Sequence, residues 1–417
     1  MLINESSSTR DNAVVLGEGC RAEGESIKDD GVIATRATWY RGGTSKALFV
    51  LRSDLPQEAT DDLDSWIRAV FGSPDRRQID GIGGADLVTS KFALIGPSTH
   101  PDADVDYSFF QVGIDSNIVA TDLNCGNISA AVAPFAIESG LVKPTEGQQT
   151  VTIHNTNDGT LFYVTLNVKD GRVITTGDFR CDGVPGTGAP VRLDFKATAG
   201  GRTGKLLPTG NLRDTFDVPG FGPIEASVVD IANLIVFARA SSFGLKGNED
   251  PIAIQSDTKL MAAVEHLRGA VAQRLGFVED VKDSIWKSPG TPFVSLVSEA
   301  QDWVTFDERT TRSADTCDFM ARGFTMQLAH KAYWATGSVC TGVAAALSGS
   351  IVNEVASSQS LKNGIFRIAH PVGTIDVEIE VSRDPHGGNY TVNKAQLLRT
   401  ARKLMEGTVF ASRERLV

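Results

Sequence analysis

The chain nowhere reaches the roughly 18 consecutive apolar residues that a membrane-crossing helix requires, so no membrane span is expected. It lacks positive charge: 40 basic against 51 acidic residues leave a formal charge of −11, which argues against a nucleic-acid partner. An anionic small molecule is not excluded, because a local basic cluster can override the global field. Cysteine is scarce. Five, odd in number and widely spaced, do not make a disulfide framework, and a reducing, cytoplasmic setting fits best. Cys-x-x-Cys and His-x-x-x-His pairs are absent and the six histidines are scattered, so a zinc site has no support. Walker loop, Gly-x-Ser-x-Gly elbow and Gly-x-Gly-x-x-Gly fingerprint are missing too, and neither metal nor cofactor is expected.

What is present is a globular composition, 41% hydrophobic and 22% charged, on 417 residues, a length that exceeds one ordinary core and predicts two domains. Residues 1–33 are polar, without the apolar stretch of a secretory signal, and read as a flexible extension. The rest divides into a first domain at 34–190 and a second at 191–417, whose C-terminal segment returns to the first. A Gly/Pro-rich stretch, Asp182 to Pro190, is the expected crossing. Ile33–Tyr40 and Ala47–Val50 read as strands around a Gly-Gly turn, and Thr150–Val168 as a hairpin. Helices are expected at Asp61–Phe71, Leu260–Leu275 and Ser338–Val355, the last interrupted at Gly349. Ala395–Leu404 reads as a surface helix or strand. The pattern is α+β, two similar domains, rather than an alternating βαβ chain.

Two cysteines stand out, each read as opening a small-residue helix. Cys125 lies in Asn124-Cys125-Gly126-Asn127-Ile128-Ser129, with the helix running to Glu138 and Gly140 as its stop; Cys340 lies in Thr336-Gly337-Ser338-Val339-Cys340. A helix N-terminus favours thiolate over thiol and offers free N–H groups to an anion. A lone cysteine is more often a small buried hydrophobe, but asparagine and glycine around Cys125 are poor core material and good anion-site material. Cys20, Cys181 and Cys317 have no such setting.

Lys91, inside Thr89-Ser90-Lys91-Phe92-Ala93-Leu94, is flanked by apolar strand residues. A desolvated amine favours its neutral form, and a neutral amine can remove a carbon-bound proton; the competing reading is an edge-strand lysine. Arg41-Gly42-Gly43-Thr44-Ser45 places a guanidinium, hydroxyls and turn N–H groups within five residues, which suits a carboxylate as well as a plain hairpin. Gly81-Ile82-Gly83-Gly84 is a second tight loop, and His330 reads as a satisfied core or interface histidine, with substrate contact as the alternative.

Taken together these stretches resemble the PrpF family, on the diaminopimelate-epimerase-like fold. The resemblance is carried by Tyr40–Lys46, Ile79–Gly84, Thr89–Lys91, Asn124–Asn127 with Ala133–Glu138, Asp182–Thr187, Gly204–Gly210 and Thr336–Cys340. It implies two pseudo-symmetric domains, each a mainly antiparallel sheet wrapped around a central helix, with the active site between them. It implies a cofactor-independent isomerase that moves a C=C bond in an unsaturated di- or tricarboxylic acid of the aconitate, methylaconitate, methylitaconate or oxalomesaconate type. Lys91 and Cys125 fall on the family's lysine and first cysteine and are the expected base and acid; Cys340 would stand at the second thiol of the epimerases. Arg41, Gly43, Thr44, Ser45, Gly84, Ser90, Asn124, Gly126, Asn127, Lys205, Thr336, Gly337 and Ser338 are the expected substrate-binding residues. Ala85-Asp86-Leu87-Val88, beside Lys91, departs from the family pattern, as does Leu234 after Asn233. The alternatives are a two-base amino-acid racemase using Cys125 and Cys340, and a non-catalytic carboxylate-binding protein. A homodimer is the expected oligomer.

Overall fold

The computed structural model describes residues 31–122, 124–384 and 388–416. The extension read over 1–33 therefore lies almost wholly outside the described residues, as does Cys20.

Among the described residues nineteen strands form one continuous sheet that curls twice, and Trp303–Val304 and Thr311–Arg312 form a separate two-stranded sheet. The first curl runs Ala401–Ser412, Val32–Gly42, Ser45–Leu51, Lys91–Pro97, Val105–Val112, Gly147–Asn155, Thr160–Lys169 and Val191–Asp194. Its pairings are antiparallel, antiparallel, parallel, antiparallel, parallel, antiparallel and antiparallel. The second runs Asp214–Val218, Gly222–Ile231, Asn233–Arg239, Phe293–Glu299, Phe319–Thr325, Ile365–His370, Gly373–Arg383 and Tyr390–Arg399, and repeats the same seven pairings in the same order. Val191–Asp194 and Tyr390–Arg399 pair with each other and join the two curls.

Parallel neighbours need a crossover, and helices supply it. Leu63–Phe71 bridges the first parallel pair of the first half and Thr258–Arg274 that of the second, both on the outside, where each packs in its own apolar cluster. Gly126–Glu138 and Ala335–Ala346 bridge the second parallel pair and lie inside the curls. These two central helices are buried on nearly every side. That explains their alanine-, glycine- and serine-rich sequence: side chains on every face must fit against sheet rather than water.

The hairpin at Gly42–Ser45, the hairpin over 147–169, the outer helices and the helix from Cys125 to Glu138 fall where the sequence places them. Ala395–Leu404 is not helical; it contains the end of one strand and the start of the next, and the C-terminal strand pairs along the whole of Val32–Gly42. The second central helix begins at Ala335, three residues before the expected Ser338, with Trp334 as its N-cap. This shift moves Cys340 away from the helix entrance and into the second turn.

Candidate active site

The N-termini of the two central helices meet head-on. Gly126, the first residue of one, donates its N–H to Thr336 Oγ1 of the other at 3.4 Å. A Cβ on Gly126 would stand 2.7 Å from the Thr336 backbone nitrogen, so only glycine allows this approach. First-turn N–H groups have no partners within a helix, and here two sets converge with their dipoles positive toward one point. At that point lies a narrow cavity of about 40 Å³.

Cys125 lines the cavity as the N-cap of the first central helix and makes no side-chain capping bond. Lys91 lines it from the first residue of its strand. It is 7% exposed and donates to Gln111 Oε1 at 2.5 Å, with its Nζ 5.3 Å from the centre of the Phe109 ring. Gln111 sits opposite Lys91 in the ladder, and its amide nitrogen donates to the carbonyls of Leu87 (3.1 Å) and Ser90 (2.9 Å). Those two bonds fix the amide orientation, so the oxygen must face Lys91 Nζ. No sequence motif announced Gln111; strand register alone brings it there.

His330, Ser45, Asn124, Asn127, Thr325 and Thr336 complete the polar lining, and the Thr325 hydroxyl is buried without a partner. His330 Nδ1 accepts the N–H of Ala332 at 3.0 Å, and burial pushes its pKa down to about 4, with the nearby charge of Lys91 acting in the same direction. The neutral ring therefore carries its proton on Nε2, as a donor. Asn127 donates to Thr44 Oγ1 (3.0 Å) and accepts from Arg399 Nε (3.2 Å); Asn124 is held by Asp158, Asn155 and the Ala232 carbonyl. Leu87 and Val88, part of the stretch that departs from the family pattern, form an apolar wall beside Lys91. Asp86 next to them pairs with Lys331 of the second half at 2.7 Å, across the seam.

Several expected binding residues lie outside the cavity lining and make contacts within the scaffold. The Arg41 guanidinium donates to the carbonyls of Gly43 and Thr400, both at 2.9 Å. Gly43, at φ +48°, presses on the Asn127 side chain, where a Cβ has no room. Gly84 packs on Thr89, and Ser90 donates to Gln78 Oε1 at 2.8 Å. Lys205 is exposed on a loop outside the cavity lining. Gly337 and Gly323 make room for the Trp334 indole, and Ser338 donates back to the Ala335 carbonyl. Cys340 is 0% exposed, its thiol on the Val229 carbonyl and its pKa driven well up by burial, so it does not face the cavity.

The repeated topology identifies what the second half offers in place of Lys91 and Cys125. Phe293 opens the strand equivalent to that of Lys91, and Trp334 caps the helix equivalent to that of Cys125. Both line the same cavity, their rings 4.6 Å apart. At these equivalent positions one half brings an amine and a thiol and the other an aromatic wall, with His330 and Thr336 of the second half beside it.

Residues 32–412 match the profile of the PrpF protein family. The chain belongs to the PrpF family. Among PrpF relatives, 3-methylitaconate isomerase of Eubacterium barkeri is 45% identical over 378 residues, covering 90% of this chain and 97% of the relative. The 2-methyl-aconitate isomerase of Cupriavidus necator is 40% identical over 385 residues, covering 89% and 96%. The crystal structure of a methylitaconate-delta-isomerase superposes with a TM-score of 0.76 at 43% identity, covering 93% of this PrpF chain and 98% of that one. The protein is an isomerase with the α+β fold of that group. Among its described residues no helix is long and apolar enough to cross a membrane.

Proposed function

We propose that the protein is a cofactor-independent allylic isomerase of an unsaturated di- or tricarboxylic acid. The unprotonated amine of Lys91 takes a proton from the carbon next to the alkene. The electron pair spreads over the allyl unit into its carboxylate as a dienolate. The Cys125 thiol returns a proton to the far end, and the ammonium and thiolate then exchange a proton to reset the site. First-turn N–H groups of both central helices, with Ser45, Thr336 and the Nε2–H of His330, hold the carboxylates. Charge that grows on the substrate oxygens is met by donors already oriented, so little reorganisation is needed.

The observation that carries this reading is the asymmetry of the cavity: amine and thiol from one half, Phe293 and Trp334 at the equivalent places in the other. A two-thiol racemase needs a second acid–base group there, and Cys340 is turned away beneath the helix. Leu87 and Val88 favour a substrate with a methyl or methylene group near the base, as in methylitaconate or methylaconitate. Aconitate and oxalomesaconate are the unmethylated members of the test panel. The cavity is smaller than such an acid, so substrate enters with the Asp86–Lys331 clasp open. A reducing cytoplasm suits a site that depends on a free thiol; Cys125, Cys181, Cys317 and Cys340 are all unbridged.

The test is incubation with the panel in D2O followed by proton NMR. Alkene migration with deuterium at the allylic carbon is expected for at least one acid. Deuterium at an amino-acid Cα, with no alkene turnover for any acid, overturns the proposal.

A further inference from the structure

A groove of about 570 Å³ opens beside the joint between the two curls, away from the catalytic cavity. Its apolar surface comes from Phe179, Ile365 and Leu398, and its rim is rich in arginine. Three of the arginines are matched. Arg367 makes a bidentate pair with Asp376 (2.8 and 2.7 Å), Arg180 lies 3.5 Å from Asp182, and Arg192 lies 4.0 Å from Glu378.

Two are left over. Arg399 is 7% exposed, donates only to the neutral oxygens of Asn127 and Leu398, and has no carboxylate within 4 Å among the described residues. Burial lowers its pKa, only partly offset by the more distant Asp376 and Asp182. Arg312 has a buried Nε with no hydrogen-bond partner. Holding a cation such as Arg399 away from water without an ion-pair partner is costly, and the unpartnered Nε of the half-buried Arg312 on the same groove adds a second donor for an anion.

We propose that this groove is a binding site for an organic dianion with an apolar body, one carboxylate taken by Arg399 and the other by Arg312. The guanidinium fork suits a carboxylate, and the apolar surface of Phe179, Ile365 and Leu398 takes the hydrocarbon. The site is separate from the catalytic cavity but one residue from it, because Arg399 also holds Asn127.

Isophthalate is the probe: a rigid dianion with an aromatic body. Titration calorimetry on the full chain is expected to show saturable binding that Arg312→Gln weakens about tenfold or more, the loss of one charge-assisted contact. Isomerase activity of Arg312→Gln without the probe stays at the wild-type level. Cys181 lines this groove and Cys125 the other cavity, so their alkylation by N-ethylmaleimide, read by peptide mass spectrometry, reports the two sites separately. Protection of Cys181 with Cys125 unprotected supports the proposal. No saturable binding at millimolar probe, unchanged affinity in both Arg312→Gln and Arg399→Lys, or protection confined to Cys125 overturns it.

Discussion

Gly126→Ala is the sharpest test of the converging helices. The added Cβ would lie 2.6 Å from Thr336 Cγ2, 2.7 Å from the Thr336 nitrogen and 3.1 Å from Ala335 Cβ. The first contact can yield by rotation of a side chain. The second is backbone in the first turn of a fully packed helix, so the two N-termini must separate by several tenths of an ångström. Overpacking of this kind costs about 1–3 kcal/mol of stability. Misplacement of the donors that meet substrate approaching an ångström costs on the order of 100-fold in rate. The expected outcome is a folded protein, with wild-type circular dichroism, whose kcat/KM falls about 100-fold. Thr336→Ser in the same chain removes Cγ2 but leaves the nitrogen, so it restores only part of the loss. A Gly126→Ala enzyme with wild-type kcat/KM, or full rescue by Thr336→Ser, would refute the argument that backbone-to-backbone approach sets the geometry.

Lys91→Ala and Cys125→Ser should each abolish measurable turnover while leaving the melting temperature within a few degrees of wild type; full activity in either removes that residue from the mechanism. Gln111→Leu deletes the acceptor on Lys91 and should lower kcat about 10- to 100-fold with little change in KM, the size of one charge-assisted hydrogen bond; an equal rise in KM would point to a binding role instead. His330 has a pKa lowered to about 4 in the fold against about 6.5 when unfolded, so between those values the unfolded chain holds more protons and stability falls as the pH is lowered. His330→Asn should flatten, in part, the decline of melting temperature from pH 6.5 to 4; His370, lowered to about 3 chiefly by burial, maintains the remainder.

Local chemistry made much of this protein readable from sequence. Asn124-Cys125-Gly126-Asn127 is readable as a helix start because its small and polar residues break the preceding strand and suit a helix entrance. Gly42-Gly43 turns a hairpin because only glycine fits against the Asn127 carbonyl and side chain. The second cysteine misled because Thr336-Gly337-Ser338 look like the residues that begin a helix, whereas the cap is Trp334, an aromatic residue with no capping chemistry. Its site is decided by packing between Gly323 and Gly337, which is tertiary information. Gln111 was hidden for a similar reason: its role follows from standing across a ladder from Lys91, twenty residues away. Arg41, Gly43, Gly84 and Ser90 lie near the cavity residues in the chain, but their contacts are with the cavity's walls, and they are not among its lining residues.

The duplicated strand order has a stereochemical consequence. In the proposed mechanism a planar allyl intermediate held between the halves has Lys91 and Cys125 on one face and Phe293 and Trp334 on the other. Proton removal and proton return must then be suprafacial: the hydrogen arrives on the side from which the first one left. A racemase built on the same frame works across both faces and inverts its centre. Replacing acid–base groups by aromatic rings on one side confines the exchange to a single face and leaves the hydrogen at a prochiral carbon as a record of it, legible in the configuration of a stereospecifically deuterated product.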